Sequence, residues 1–501
     1  MNFANCVDTA ARDSPTKTAI TDPERELTFE EFAAETNAFA NALDGLGIDA
    51  GDRVALYLPN GVTFAVAYFG AMKRGAIPFP INMRFEGEEI QFVLEDAGAR
   101  AVVTTGTFED VIAGLDVDSV EHTIVVGGEL GTAYDGLIAD ADSAYDVHPR
   151  KESEVAEMMY TSGTTGRPKG VRHTHQNLST NARGFLRYMD WSENEVGLTV
   201  CPCFHVSGLN ITTTPFVFAG ATNHFLPAWD PETALDAIET HGVTYTFLIP
   251  TMVIDLLAVD DVDAYDLSSL EVIGVGGAPM PKERIEAVEE AFDCTLLEGY
   301  GMTETTPLAA INRIGDEDRK AGSIGKVCND VMDVRIEDPN TREAVGANEK
   351  GELLWHGDTV MAGYYDLPEK NQNAFVDRDG RTWFRSGDIG RMDADGYLFV
   401  EDRLDDMIIT GGENVYPREI EDVLYAADEI QEAAVVGRPD DRLGERIVAF
   451  VVGDTTPEEL EALIRDHLAG YKVPKEFRFV EELPKTSTQK IDKVSLRDRL
   501  D

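Results

Sequence analysis

Tyr160-Thr161-Ser162-Gly163-Thr164-Thr165-Gly166-Arg167-Pro168-Lys169-Gly170 is composed to hold a phosphate chain. Its three glycines let successive backbone N–H groups converge on one anion, while Thr161, Ser162, Thr164 and Thr165 add hydroxyl donors and Lys169 adds a point charge. The residues before it, Ala156-Glu157-Met158-Met159, read as a short buried strand that the loop leaves. The pattern GxxxxGK[ST] is absent, because Lys169 stands behind Pro168 and precedes Gly170, which argues against a P-loop NTPase. A plain Gly/Thr surface linker is the competing reading, and a proline and a lysine at fixed places argue against it.

Outward from this loop, helical and strand signals alternate. Thr28 and Glu31 compose a capping box, followed by Phe32, Ala33, Phe39, Ala40 and Leu43 at helical spacing until Gly47. Arg53 to Leu58 then reads as a buried strand. The same unit recurs as Glu88 to Ala97 before Ala101 to Thr104, as Pro231 to His241 before Tyr245 to Ile249, and as Val272 to Val275 before Lys282 to Phe292. Repeated strand–helix units predict α/β layers with mainly parallel sheets. From Gly322 to Val400 helices thin out and short strands such as Gly351 to Trp355 alternate with Gly and Asp turns, predicting a small β subdomain. The chain turns charged at Glu401 to Asp406, after which Ile420–Tyr425, Ala433–Val436, Ile447–Val452 and Leu460–Leu468 predict a small α+β module. The boundary falls at Asp402/Arg403, giving a large N-terminal domain, 1–402, and a C-terminal domain, 403–501.

A chain of 501 residues with 43% hydrophobic residues builds more than one core. Lys and Arg total 43 against 92 Asp and Glu, a formal net charge of -49, which excludes unaided binding to nucleic acid or an anionic membrane. The acids are scattered, with arginine commoner than lysine, as on a hydrated surface that works in concentrated salt; an acidic docking face is the alternative. Cys6, Cys201, Cys203, Cys294 and Cys328 are odd in number and lack CxxC spacing, so neither a disulfide framework nor a zinc site is expected. With no leader-like start and no apolar run of about 20 residues, a soluble cytoplasmic protein without an integral membrane segment is expected.

Four further segments carry chemistry. Gly274-Val275-Gly276-Gly277-Ala278-Pro279 ends a strand and opens a helix, where backbone approaches a flat ligand closely, or simply packs. Glu298-Gly299-Tyr300-Gly301-Met302-Thr303-Glu304-Thr305 sets an aromatic face, a hydroxyl and a carboxylate within a few positions; a helix start capped by Thr303 is the competing reading. Trp383 to Gly390 reads as a strand ending in a glycine turn that contains Asp388. Leu483-Pro484-Lys485-Thr486-Ser487-Thr488-Gln489-Lys490-Ile491-Asp492-Lys493 offers three lysines, of which Lys485 and Lys493 read as solvated surface residues.

Together these segments resemble the adenylate-forming superfamily of acyl-CoA synthetases, luciferases and peptide-synthetase adenylation domains, along nearly the whole chain. The resemblance implies that Thr161, Ser162, Gly163, Thr164, Thr165, Gly166 and Lys169 hold the β- and γ-phosphates of ATP. It lays Gly277, Ala278 and Pro279 along the adenine, stacks Tyr300 on it, and brings Glu298, Gly299 and Gly301 to its edge. Thr303 would donate to the α-phosphate, Glu304 would hold Mg²⁺, and Asp388 and Arg403 would take the ribose. Asp405 matches the pivot of a mobile C-terminal lid, and Gly411 and Gly412 match a loop lining the pantetheine tunnel of CoA. Lys490 matches the catalytic lysine of adenylation, although the family usually has Gly where this chain has Gln489.

His205, in Cys201-Pro202-Cys203-Phe204-His205-Val206-Ser207-Gly208-Leu209, matches the FH-containing motif bordering the acyl pocket; its own composition equally fits a hydrogen-bonded core histidine. No Asp stands there to bind a substrate ammonium, which disfavours an α-amino acid. The resemblance thus implies an acid–thiol ligase: ATP and a carboxylic acid give an acyl-adenylate and pyrophosphate, and CoA displaces AMP. Phe204, Val206, Val275, Met302 and Ile249 to Ile254 suggest an apolar pocket, and similarity leans towards medium- and long-chain fatty acyl-CoA ligases. Aryl acids, and an enzyme that loads a carrier protein instead of CoA, remain open, as does a homodimer.

Overall fold

A computed structural model describes residues 1–161, 167–278, 280, 282–315, 319–320, 322–425, 427, 429–440, 442–485 and 491–500, the side chains of Lys282 and Glu283 excepted. The chain divides into two compact units, Met1–Asp333 with Trp355–Phe384, and Val334–Leu354 with Arg385–Asp501.

The larger unit is layered α/β. One sheet is wholly parallel, in the order Ile77–Pro80, Arg53–Tyr57, Ala99–Thr105, His122–Val126, Thr132–Ala133. A second sheet of nine strands has a parallel centre in the order Thr295–Tyr300, Val272–Val275, Tyr245–Leu248, Val196–Thr199, Thr222–Phe225, Thr18–Thr21, with antiparallel strands at both edges. Parallel neighbours need crossover connections, which helices such as Pro231–His241 and Lys282–Phe292 supply. Local chemistry fixes their ends. Thr28 and Glu31 form the reciprocal cap, Asp230 accepts from the Thr233 N–H, and Gly242 (φ 63°) closes its helix in the left-handed region. Helix Val62–Lys73 is buried on every side, and Phe64, Tyr68 and Phe69 join Phe32 in the main core.

The chain from Lys326 to Arg403 is rich in strands and holds one helix of more than one turn, Pro368–Ala374, among the described residues. In the smaller unit Glu413–Val415, Ile408–Thr410, Gly444–Gly453 and Ile430–Asp440 form a sheet, to which Glu476–Phe479 adds in parallel. Helices Pro417–Tyr425 and Pro457–His467 bury Ile420, Leu424, Leu460 and Ile464 against it. Among the described residues no helix is long and apolar enough to cross a membrane.

Candidate active site

The quoted loop joins the two strands of an antiparallel ribbon. Val155–Thr161 pairs with Lys169–Thr174, and Thr161 stands opposite Lys169. Ser162, Gly163, Thr164, Thr165 and Gly166 lie outside the described residues. The Lys169 ammonium lies 5.6 Å from the centre of the Tyr364 ring. The Tyr364 hydroxyl in turn donates to Glu304 Oε1 at 2.8 Å. Both residues are buried, Glu304 8% and Tyr364 5% exposed, so one tyrosine ties the loop's cation to the carboxylate matched with Mg²⁺.

Glu304 sits in a single 3₁₀ turn, Thr303–Thr305, whose cap position is Met302; the reading of Thr303 as a helix cap is therefore incorrect. The turn is pinned by its own carbonyls and by side chains. Met361 donates its N–H to Glu304 O at 2.9 Å, and the Thr306 hydroxyl (φ 59°) donates to Thr359 O at 2.7 Å. Among the described residues no three His, Cys, Asp or Glu side chains gather as a metal cage. One carboxylate suits Mg²⁺, which takes most of its ligands from phosphate oxygens and water.

Strands Val272–Val275 and Thr295–Tyr300 are parallel neighbours, with Val275 opposite Glu298. The segments that follow them come close: a Cβ on Gly276 would lie 2.9 Å from Gly299 O. Gly277 and Ala278 continue from the first strand, and Pro279 lies outside the described residues. Tyr300 stacks on the fully buried Trp355 with ring centres 5.6 Å apart, and Glu298 accepts the Gly322 N–H at 2.9 Å. Gly301 is required where it stands, since a Cβ there would meet Pro307 O at 1.2 Å.

His205 is half-buried; its Nδ1 accepts the Ser207 N–H at 3.2 Å and lies 2.9 Å from the Ser207 hydroxyl. That contact starts a π-helical stretch, Ser207–Thr213. Val206 and Val275 are buried, Phe204 is half-buried, and Ile254 is exposed.

In the smaller unit, Asp388 and Arg403 are cross-strand neighbours, with Arg403 Nε 3.0 Å from Asp388 Oδ1. The segment around them does not end in a turn, as its glycine suggested. Strand Arg381–Met392 runs on through Gly387, and its partner Leu398–Arg403 supplies the pairing that hides the Asp388 side chain. Next to Arg403, Asp402 accepts the N–H groups of Arg403 and Arg418 at 2.7 and 2.9 Å, yet burial raises its pKa to about 6. Asp405 is exposed in the turn Leu404–Asp406 that follows. Gly411 and Gly412, at φ 61° and 88°, form the two-residue turn between Ile408–Thr410 and Glu413–Val415.

Lys490 lies outside the described residues. Of its rivals, Lys485 pairs with Glu432 at 2.8 Å on the surface. Lys493 is not a solvated lysine. It pairs with Glu421 at 2.8 Å, and although burial opposes its charge, Glu421, Asp402 and Asp406 raise its pKa. Sequence reasoning also missed Tyr364 and Trp355, which support Glu304 and Tyr300 from remote strands and turns; no motif marked either.

The AMP-binding enzyme family matches residues 7–365, and the AMP-binding enzyme C-terminal domain matches residues 419–490. A feruloyl-CoA synthase of Amycolatopsis sp is 38% identical over 493 residues, covering 98% of this chain and 97% of that protein. A long-chain-fatty-acid–CoA ligase of Bacillus subtilis (strain 168) is 35% identical over 529 residues, covering 98% and 92%. The solved structure of ATP-bound MatB from Rhodopseudomonas palustris superposes with a TM-score of 0.90 at 30% identity, covering 100% and 99% of the two chains. The chain belongs to the AMP-binding enzyme family, whose members form adenylates, and it is an acid–thiol ligase.

Proposed function

We propose that the protein joins an apolar monocarboxylic acid, with a medium- or long-chain fatty acid as the first reading, to CoA through an acyl-adenylate, using ATP and Mg²⁺. The observation that carries this reading is the Lys169–Tyr364–Glu304 linkage, which sets a cation over one aromatic ring and a buried carboxylate on that ring's hydroxyl. Thr161 to Lys169 hold the β- and γ-phosphates, Thr303 donates to the α-phosphate, and Asp388 accepts the ribose hydroxyls beside Arg403. Bound Mg²⁺, held by Glu304, neutralises phosphate charge. Tyr300, Gly277, Ala278 and Pro279 enclose the adenine.

In the first step a carboxylate oxygen of the substrate attacks the α-phosphorus and pyrophosphate leaves. Lys490 stabilises charge at the five-coordinate phosphorus. In the second, the CoA thiol, having lost its proton to water, attacks the acyl carbonyl carbon and AMP leaves with the bonding electrons. Lys490 serves only the first step, so the C-terminal domain (403–501) turns at Asp405 and the Gly411-Gly412 loop serves the thiol.

An aryl acid is the second reading, favoured by the 38% identity to feruloyl-CoA synthase against 35% to the fatty-acid ligase. A panel of fatty, cinnamate-type and benzoate-type acids, assayed for AMP release with and without CoA, separates them. Turnover only with fatty acids supports the first reading, turnover only with aryl acids replaces it, and adenylate that free CoA never consumes points to a carrier protein.

A further inference from the structure

A polar cluster bonded to the Thr303 turn is used by none of these assignments. Glu157, in strand Val155–Thr161, accepts from the Tyr68 hydroxyl at 2.5 Å and from Asn210 Nδ2 at 2.9 Å, and lies 2.7 Å from His173 Nδ1. His173 stands opposite Glu157 in the ribbon, and its Nε2 is 2.7 Å from the carbonyl oxygen of Thr303. Glu157, His173, Tyr68 and Asn210 are all 0% exposed.

A carbonyl oxygen only accepts, so His173 Nε2 carries a proton. Burial and the charge of Glu157 raise the Tyr68 pKa, so its hydroxyl donates. Tyr68 and Asn210 donate to the Glu157 oxygens, and Glu157 lies 2.7 Å from His173 Nδ1, so the imidazole is held at both ring nitrogens. A buried polar cluster is a poor way to gain stability over apolar packing, because desolvation of its groups offsets what their hydrogen bonds return. This one ends on the peptide group from which the Thr303 and Glu304 side chains diverge.

We propose that Glu157 and His173 are positioning residues for the adenylation step: Glu157 orients the imidazole, and its Nε2–H fixes the Thr303–Glu304 peptide plane, so that Thr303 and Glu304 meet the triphosphate in reactive alignment. The inference rests on the proposed roles of Thr303 and Glu304 at ATP. Misplacing a reacting group by about 1 Å costs on the order of 10²-fold in rate, so a rate effect without a matching loss of affinity is the expected signature.

The test is acid-dependent exchange of labelled pyrophosphate into ATP by the full chain, comparing His173→Asn, His173→Gln and Tyr68→Phe. Asn reaches only the Nδ1 position and keeps the bond to Glu157, whereas Gln reaches the Nε2 position and keeps a donor for Thr303 O. His173→Asn should lower kcat by roughly 30–100-fold with KM for ATP changed less than about threefold. His173→Gln should recover most of that loss. Tyr68→Phe, which strips a donor from Glu157 Oε2 and leaves His173 in place, should lower Tm and keep kcat. Equal kinetics for His173→Asn and Tyr68→Phe, a change in KM alone, or no recovery by His173→Gln would overturn the proposal. Should His173→Asn not fold, Glu157→Gln takes its place, and an unchanged kcat there overturns it equally. Absence of exchange by the wild type with every acid overturns the adenylation reading itself, and this inference with it; normal wild-type exchange beside unaltered variants overturns the inference alone.

Discussion

Replacing Tyr364 by phenylalanine removes one hydroxyl and leaves the ring on which Lys169 rests, 5.6 Å from its centre. The lost group donates to Glu304 at 2.8 Å, and the carboxylate is only 8% exposed, so water replaces the donor poorly. A hydrogen bond to a charged partner contributes about 1.5–3 kcal/mol, which corresponds to roughly 10–150-fold in rate if it is all used to hold Glu304 for Mg²⁺. Pyrophosphate exchange measured across a Mg²⁺ titration should therefore show a lower plateau for Tyr364→Phe, by about that factor. Tyr364→Leu also removes the ring beneath Lys169, and the lost cation–π contact of about 0.5–1 kcal/mol should raise KM for ATP a further two- to fivefold. Wild-type exchange by Tyr364→Phe at every Mg²⁺ concentration would refute the reasoning, because the hydroxyl would then have no part in holding the carboxylate.

Lys490→Ala should cut acyl-adenylate formation by about 10²–10⁴, roughly 3–5.5 kcal/mol, while thioester formation from supplied acyl-adenylate persists; a near wild-type first step would show that another lysine acts. Asp402, whose pKa burial raises from 3.8 to about 6, binds more protons folded than unfolded between those values. Its contribution to stability is present at low pH and is lost as pH rises through about 6, so wild type should lose about 2.5 kcal/mol relative to Asp402→Asn between pH 4 and 7.5, measured by urea unfolding. A constant difference across that range would contradict the burial argument. With a net charge of -49, raising KCl from about 0.1 to 1 M shortens the Debye length from ~10 to ~3 Å and should raise Tm; a flat or falling Tm would remove the case for a salt-adapted surface.

The features legible in the sequence were those with local causes. The cap at Thr28 and Glu31, helix Pro231–His241, strand Val272–Val275 and helix Lys282–Phe292 appear where periodicity and capping place them. Misreadings arose where a distant partner decides. A glycine within the Asp388 segment suggested a turn, but pairing with Leu398–Arg403 carries the strand through it. Lys493 resembles a surface lysine by composition, and Glu421, brought in by a different helix, makes it half of a partly buried ion pair. The Lys169–Tyr364–Glu304 linkage joins three separate stretches of chain, and no spacing rule connects them. The acid's identity is illegible for a related reason: Phe204 and Val206 beside His205 are apolar, and apolar side chains accept an alkyl chain and an aryl ring alike.

The central claim is that a carboxylic acid is activated by transfer of AMP from ATP. It is tested most directly by exchange of labelled pyrophosphate into ATP, with Mg²⁺ and without CoA, in high salt. The account predicts exchange that requires an apolar acid and gives way to net AMP release when CoA is added. No label in ATP with any of the fatty or aryl acids would contradict it.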